Sequence, residues 1–254
     1  MKKILYLSII CLLATACGRN KETFTIEGYI KGGENKYVKI EEITPSEVIY
    51  IDSVLLDDKG EFEFKYKMPY KSFYNIAVSQ SDFIMLLPDY GEKIKITGDY
   101  NNLSRTYQLI GSPESQLLWQ LNDYTIMGAD RLDSIKNVYD ILIQNTDTNF
   151  IKKEKQLLDS IYLNAYYEQQ DFVIGFIEEH SGSLSTLIAL YKTFNTIPLI
   201  KPEQGFEYYE IVNNGLKNNL PENPHTLNFD NTIKKMRFKY GDVVNGGATI
   251  TMGE

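Results

Sequence analysis

Two cysteines and two histidines are the side chains of this sequence best suited to nucleophilic, redox or metal chemistry. Cys17 directly follows Ala14-Thr15-Ala16, and residues 4–16 form an uncharged, mostly apolar run behind the basic Met1-Lys2-Lys3. A basic start, a short apolar stretch and small residues at a cleavage point are typical of a secretory signal. The Cys17 thiol would then accept a diacylglyceryl group, and cleavage would free its amine for a further acyl chain. Several acyl chains hold a protein firmly to a membrane, at about 0.8 kcal/mol per buried CH2.

Residues 1–16 therefore resemble the signal peptide of a bacterial lipoprotein, with Cys17 as the lipidation site and residues 17–22 as a lipidated tether. A spanning helix is the weaker alternative, because it needs about 20 apolar residues and this run ends sooner. An ordinary secreted protein is the other alternative, since Leu is commoner than Ala at the position of Ala14. Gly18-Arg19 replaces the Asp that commonly retains lipoproteins at the inner membrane. We expect a lipid-anchored protein of the cell envelope, in the outer membrane and facing the periplasm.

Cysteine content limits the chemistry of the processed chain. Cys11 is discarded with the signal peptide and Cys17 is acylated, so no thiol remains for a disulfide or a dithiol redox reaction. Loss of Lys2 and Lys3 takes the formal net charge from −8 to about −10. An acidic chain lacks the electrostatic footprint of a nucleic-acid-binding protein. The expected partners are the membrane, through the lipid anchor, and an unidentified envelope protein, with no nucleic acid and no cofactor.

The histidines and one acidic segment are the candidates for metal binding. His180 and His225 belong to no His-x-x-x-His pair or Cys/His cluster, so the sequence predicts no metal site. We expect His180 near the C-terminus of a helix, where it complements the dipole. Residues 57–61 faintly resemble a calcium loop but are too few and lack the ligand spacing. A hairpin loop with Gly60 at positive φ is the favoured interpretation.

Serine and tyrosine clusters are the remaining candidates. Residues 181–183, Ser-Gly-Ser, lack the Gly-x-Ser-x-Gly elbow and are interpreted as a helix break and cap. Tyr162, Tyr166 and Tyr167 are interpreted as core with an amphipathic edge, and a recognition surface is the alternative. A carboxylate-based hydrolase has no positive support. The sequence therefore predicts no catalytic residue and a protein that is not an enzyme.

Hydrophobic periodicity divides the chain into two regions that would position these residues. In residues 23–111, apolar and polar residues alternate in short runs separated by turn signals, which predicts seven or eight strands in an antiparallel β-sandwich. The clearest runs are residues 24–27, 38–41, 61–66 and 93–97. Residues 83–87 are continuously apolar, which predicts a strand covered on both faces.

Residues 112–240 change to helical periodicity and are predicted to form an α-helical domain, so the fold class is α+β. Ser112 as N-cap, Pro113 at the first position and Glu114 in the first turn predict a helix start. We expect that helix to end near residue 124, followed by helices over residues 130–143, 148–180, 184–194, 203–218 and 228–239. Residues 241–254 are expected to be a flexible tail, with an added edge strand at residues 248–251 as the alternative.

Three stretches carry a family resemblance: residues 109–115 (Leu-Ile-Gly-Ser-Pro-Glu-Ser), 176–183 and 216–230. Together with the β-rich region behind the signal, they resemble the N-terminal region, a domain of unknown function, of thioredoxin-like thiol-disulfide oxidoreductase lipoproteins of the envelope. The resemblance covers roughly residues 24–240. In that family a Gly-x-x-Ala-Pro stretch then opens a thioredoxin domain with a Cys-x-x-Cys motif. Here residues 245–250 depart from that pattern and the sequence stops at Glu254, so no redox residue is carried over.

These observations support two functions. The first is a non-catalytic envelope lipoprotein that acts as a binding or adaptor module at the membrane surface. The alternative is a truncated or split thiol-disulfide oxidoreductase-type lipoprotein whose thioredoxin domain is missing or encoded separately.

Overall fold

The structure, a computed structural model, describes residues 22–144 and 147–244, with side chains for all of these except residues 241–244. The predicted signal peptide, Cys17, most of the tether and residues 245–254 lie outside the described residues. The first half of the chain is built of β1 (Thr23–Lys31), β2 (Tyr37–Ile43), β3 (Val48–Leu55), β4 (Glu61–Lys67), β5 (Phe73–Ala77), β6 (Phe83–Leu86), β7 (Lys93–Asp99), the short helix α1 (Leu103–Thr106) and β8 (Gln108–Ile110). The second half contains α2 (Pro113–Leu142), α3 (Thr148–His180), α4 (Ser185–Leu190), β9 (Thr193–Phe194), β10 (Ile197–Pro198), α5 (Pro202–Asn219) and α6 (Pro224–Val244).

The first eight strands form two four-stranded sheets, with the orders β4-β1-β7-β8 and β3-β2-β5-β6. Alternating side chains of both sheets meet in one core, which includes Phe24, Ile40, Tyr74 and Ile94. This confirms the predicted α+β class with its β-sandwich followed by helices. Neighbouring strands are antiparallel except β1 and β7, which pair in parallel. Alternation shows which side chains face inward but not which strands become neighbours, so the parallel pair was not predicted.

The β3-β2-β5-β6 sheet is the middle layer of three. One face of it packs on the other sheet, and its second face packs on the helices. Neighbouring residues of β5 show the division, because Phe73 belongs to the helical core and Tyr74 to the sandwich core. On β6, Ile84 faces the sandwich while Met85 packs against the helices. The prediction of a strand covered on both faces is therefore confirmed, and the helices share a core with the sandwich.

The junction between the β-rich and helical regions lies at residues 111–115. Gly111 has a φ of +91°, and a Cβ there would lie 2.1 Å from the Lys93 carbonyl oxygen, so the turn requires glycine. Ser112 caps α2 by accepting a hydrogen bond from the Ser115 amide, as predicted. The Ser115 hydroxyl in turn accepts a hydrogen bond from the Leu87 amide at 3.0 Å. The start of α2 is thus tied to the loop that follows β6.

Several helix boundaries differ from the prediction. A single helix, α2, runs through the break expected between residues 124 and 130. Gly128 lies inside this helix. A Cβ at this position would lie 2.7 Å from the Gln169 amide of α3, so the glycine permits close packing of the two helices rather than a turn. The helix expected over residues 184–194 ends at Leu190 and is followed by the two-residue strands β9 and β10. The expected tail begins as helix, because α6 continues to Val244. The long helix over residues 148–180 is confirmed.

Candidate functional site

The two histidines lie in different environments and do not form a common site. His180 is the last residue of α3, as predicted, and its ring lies edge-on against Phe176 with the ring centroids 4.9 Å apart. His225 lies in the first turn of α6 and is only 6 % exposed. Within the part of the chain that the structure describes, no three His, Cys, Asp or Glu side chains gather as a metal site. No described helix is long and apolar enough to cross a bilayer.

His225 pairs with a buried serine of the sandwich. Its Nε2 lies 3.1 Å from the Ser72 hydroxyl oxygen, which lies 3.1 Å from the Ile43 carbonyl oxygen. Ser72 has one hydroxyl hydrogen and donates it to that carbonyl, so the imidazole Nε2–H donates to Ser72. Burial lowers the pKa of His225 to about 4, which keeps the ring neutral.

A serine bonded to a histidine is also the first half of a hydrolytic triad. In such a triad the serine donates its proton to the imidazole and its oxygen is open to substrate. Ser72 is instead completely buried and donates to a backbone carbonyl. The pair therefore joins the helical layer to the sandwich. A second link beside it, from the Asn223 amide nitrogen to the Lys71 carbonyl oxygen at 2.8 Å, does the same.

An apolar cavity of about 230 Å³ lies next to this pair, between the middle sheet and helices α4 and α6. Most of its wall is hydrophobic, and the polar contribution comes from a few groups that include the His225 ring. Its lining comprises Ile43, Thr44, Pro45, Phe73, Met85, Leu187, Ile188, Tyr191, His225, Asn228, Phe229 and Thr232. The cavity could accept a small apolar group with one hydrogen bond at its wall.

Because His225 is buried in its neutral form, we expect acid to lower the free energy of unfolding. In the unfolded chain a histidine binds its proton near pH 6.5, whereas folded His225 does so only near pH 4. Between these values the unfolded state holds the extra proton, so the stability that is present above pH 6.5 is lost as the pH falls. We expect His225 to account for a loss of up to about 3 kcal/mol. The free energy of unfolding of His225→Gln, measured by denaturant titration from pH 7 to pH 4, should fall less steeply than that of the wild type. Parallel curves for the two proteins would show that His225 does not titrate in this way.

The acidic segment at residues 57–61 is a turn, but it joins β3 of one sheet to β4 of the other, so the prediction of a hairpin loop is wrong. The Asp57 carboxylate accepts hydrogen bonds from the amides of Lys59 and Glu61 at 2.9 and 2.8 Å. These bonds lower the pKa of Asp57. Gly60 has the expected positive φ, +81°. The carboxylate closes its own turn.

The Ser181–Ser183 segment ends α3, which confirms the predicted helix break. The Ser183 hydroxyl accepts a hydrogen bond from the Ser185 amide at 3.1 Å and bonds to the Glu114 carboxylate at the start of α2. Glu114 also lies 3.4 Å from the ammonium group of Lys71, which is paired with Asp89 at 3.1 Å. These contacts connect the end of α3, the start of α2 and the loops of the sandwich. Their role is to hold the junction.

The tyrosine stripe is core with an exposed edge, as predicted. Tyr162 and Tyr166 pack against Phe194 of β9, and the Tyr166 hydroxyl donates to the Pro198 carbonyl at 3.0 Å. Tyr167 is exposed. A shallow cleft of about 290 Å³ lies along the stripe and is lined by Tyr162, Leu163, Tyr166, Tyr167, Gln170, Ile197, Lys201 and Gln204.

The structure differs most from the sequence prediction in the part of the α2–α3 pair that lies farthest from the helical core. The two helices run antiparallel, held together by stacking of Tyr124 on Phe172 and by an ion pair between Arg131 and Glu168. Beyond residue 132 of α2 and before residue 161 of α3, the two helices contribute no described residue to either hydrophobic core, and this pair of segments, residues 133–144 and 147–160, is named here the arm. Within the arm only Leu142 and Leu158 are buried. Its large apolar side chains that face solvent are Val138, Tyr139, Ile141, Ile143, Phe150 and Leu157.

Helical periodicity places Tyr139, Leu142 and Ile143 on one face of a helix, which predicts that all three are buried in the core. Only Leu142 is buried. Ile141, an apolar residue off that face, is the signal in the sequence for an exposed apolar surface. The Ser72–His225 pair had no comparable signal, since its members lie 153 positions apart.

Comparison with known proteins finds a similarity over the β-sandwich. Searches of the curated proteins and of the solved structures find no match. Residues 24–118 match a family model described as Domain of unknown function (DUF4369). The match runs through both sheets and ends at Leu118, a residue of α2 buried in the helical core. It therefore includes the junction at residues 111–115, and this chain resembles the DUF4369 family over its β-sandwich and the first turns of α2.

Proposed function

We propose that this protein is a non-catalytic adaptor of the cell envelope, anchored in the membrane through lipid on Cys17, and that its arm binds a protein partner. The observation that carries the proposal is the set of six large apolar side chains that the arm exposes to solvent. Exposed apolar patches of this kind mark interaction sites on soluble domains. Burying such side chains against a partner yields roughly 1.5–3 kcal/mol each when burial is complete.

The charges of the arm favour a protein surface as the occupant. Lys136, Lys152, Lys153 and Lys155 are interspersed with Asp133, Asp140, Asp147, Glu154 and Asp159. Nucleic acid would require an excess of positive charge, which these residues do not provide. A surface with exposed apolar and aromatic groups among charges of both signs matches the anatomy of protein interfaces. Ile141, which is 71 % exposed, is the most accessible large apolar side chain of the arm.

Substitutions in the arm are expected to release the partner. Ile141→Ser with Leu157→Ser removes two apolar contacts, and a loss of about 1.4 kcal/mol corresponds to a tenfold weaker complex. The recovery of co-purifying proteins from detergent-solubilised envelopes, quantified by mass spectrometry, should therefore fall at least about tenfold for one envelope protein. Leu227→Ser is the matched control, because Leu227 lies on α6 and is 52 % exposed, similar to the 55 % of Leu157. Unchanged recovery of every protein with the double variant would contradict the proposal.

A second candidate is a split thiol-disulfide oxidoreductase-type lipoprotein, with the thioredoxin domain on a separate chain. It is supported by the resemblance of residues 109–115, 176–183 and 216–230 to that type of lipoprotein. In that case the partner held by the arm carries a Cys-x-x-Cys motif, and the chain alone shows no insulin-reducing activity above a thiol-free control. Identification of a partner without such a motif favours the general adaptor.

A further inference from the structure

The two ends of the β-sandwich differ in the loops that they carry. At one end, named here the anchor end, β1 begins with Thr23 opposite Lys67, the last residue of β4. The same end holds the start of β7, since Lys93 is in register with Thr25. In the other sheet, Ile43 at the end of β2 pairs with Val48 and Phe73, the first residues of β3 and β5. The loops at residues 44–47, 68–72 and 87–92 therefore all lie at the anchor end.

The anchor end exposes apolar and aromatic side chains close to the first described residue of the chain. Its exposed large apolar residues are Val48, Ile49, Tyr50, Tyr90 and Ile110. Lys67 and Lys93 are exposed beside them. The opposite end has polar turns but also exposes Tyr29, Tyr37, Leu55 and Phe83, so it is the connection to Cys17 that distinguishes the anchor end. Tyrosine rings and lysine stems with polar tips suit the region of lipid headgroups, where one part of the side chain is apolar and the other wet.

The chain that leads to the anchor end is short. Only Gly18, Arg19, Asn20 and Lys21 separate Cys17 from Glu22, whose carbonyl oxygen accepts a hydrogen bond from the Met68 amide. An extended chain spans at most about 3.6 Å per residue, so Cys17 lies within about 18 Å of Glu22. Acyl chains on Cys17 would therefore bring the anchor end to the bilayer surface.

Helix α2 points away from that end. It begins beside Leu87 at the anchor end and then passes the Tyr107 and Ser104 carbonyl oxygens, which accept hydrogen bonds from Trp119 and Asn122. Further along, Asp130 pairs with Arg105 at 2.9 Å. Ser104 and Arg105 belong to α1, whose Leu103 amide is bound to Asp82 at the start of β6, so they lie at the opposite end of the sandwich. A helix of this length is about 45 Å long, which places the arm on the far side of the sandwich.

We infer that the anchor end of the sandwich lies flat against the lipid surface and that the arm extends away from it. The inference rests on the lipid anchor of the proposed function and adds a second contact with the bilayer, made by Val48, Ile49, Tyr50 and Tyr90. The lipid surface is the occupant of this apolar patch because the four-residue connection holds the patch beside it. The arm is thereby held clear of the membrane, where an envelope partner can reach it.

Spin labels at three positions test this orientation. The processed chain has no cysteine besides Cys17, so Tyr50→Cys, Lys59→Cys and Ile141→Cys each provide one labelling site at the anchor end, the opposite end and the arm. Each full-length lipidated variant is reconstituted in vesicles of phosphatidylethanolamine and phosphatidylglycerol. The same labels in a Cys11→Ser, Cys17→Ser background, which has no other thiol, provide the unanchored reference. Collision with a water-soluble nickel chelate measures how far each label is shielded from water.

We expect the label at position 50 to lose collision accessibility several-fold in vesicles, while those at 59 and 141 match their unanchored references. Equal accessibility at positions 50 and 59 would overturn the inference, as would shielding at 141. Failure of the proposed anchor gives a different result, because the chain would then not float with vesicles and its Cys17 peptide would lack the mass of acyl groups. That outcome overturns both the anchor and the orientation.

Discussion

Leu87→Ala is expected to destabilise the sandwich and the helices together, by about 2–5 kcal/mol. Leu87 follows β6, is completely buried and belongs to the core that the helices share with the middle sheet. Its amide is also bound by Ser115 of α2. The two regions should therefore unfold in one transition. Trp119, the only tryptophan, packs against the sandwich core and reports on it by fluorescence, while circular dichroism reports on the helices.

The matched control for this prediction is Leu157→Ala on the arm. Leu157 is exposed, so the same loss of side chain should change the free energy of unfolding by no more than about 0.5 kcal/mol. For a domain of this size, 1 kcal/mol shifts the melting temperature by about 2–4 °C, so the two variants are readily distinguished. Separate transitions of the fluorescence and dichroism signals in Leu87→Ala would show that the sandwich and the helices are independent domains.

Cys17→Ser is expected to move the protein from the membrane fraction to the soluble fraction of the envelope. Two or more acyl chains provide stable attachment, and the serine hydroxyl would not receive them. The measurement is the distribution of the protein after a carbonate wash of isolated membranes. Cys11→Ser is the control, because Cys11 lies within the predicted signal peptide and its loss should leave the processed protein in the membrane. Retention of Cys17→Ser in washed membranes would show that the anchor lies elsewhere.

The sequence predicts the local elements well because their signals are local. Period-2 alternation identifies β1, β2, β4 and β7, and the Ser112-Pro113-Glu114 start places the first residue of α2 correctly. The turn at residues 57–60 follows from Gly60 and from a carboxylate that can bind nearby amides, but these local signals do not show that β3 and β4 enter different sheets.

The remaining features depend on contacts between distant segments. The parallel pairing of β1 with β7 and the contact of His225 with Ser72 join residues far apart in sequence, and no short-range pattern encodes them. The exposure of the arm likewise depends on which distant segments pack against it. Helical periodicity identifies an apolar face but not the point at which the rest of the core ends, so it predicts a buried Ile143 where the structure has an exposed one.

Photo-crosslinking in living cells tests the adaptor account most directly. A photoreactive amino acid replaces Ile141 at the arm or Lys59 at the opposite end of the sandwich, in otherwise unchanged lipidated protein. We expect one discrete crosslinked envelope protein from position 141, none from position 59, and loss of that product when Leu157→Ser is added. Crosslinks from position 59 alone, or none from position 141, would contradict a role for the arm in binding a partner.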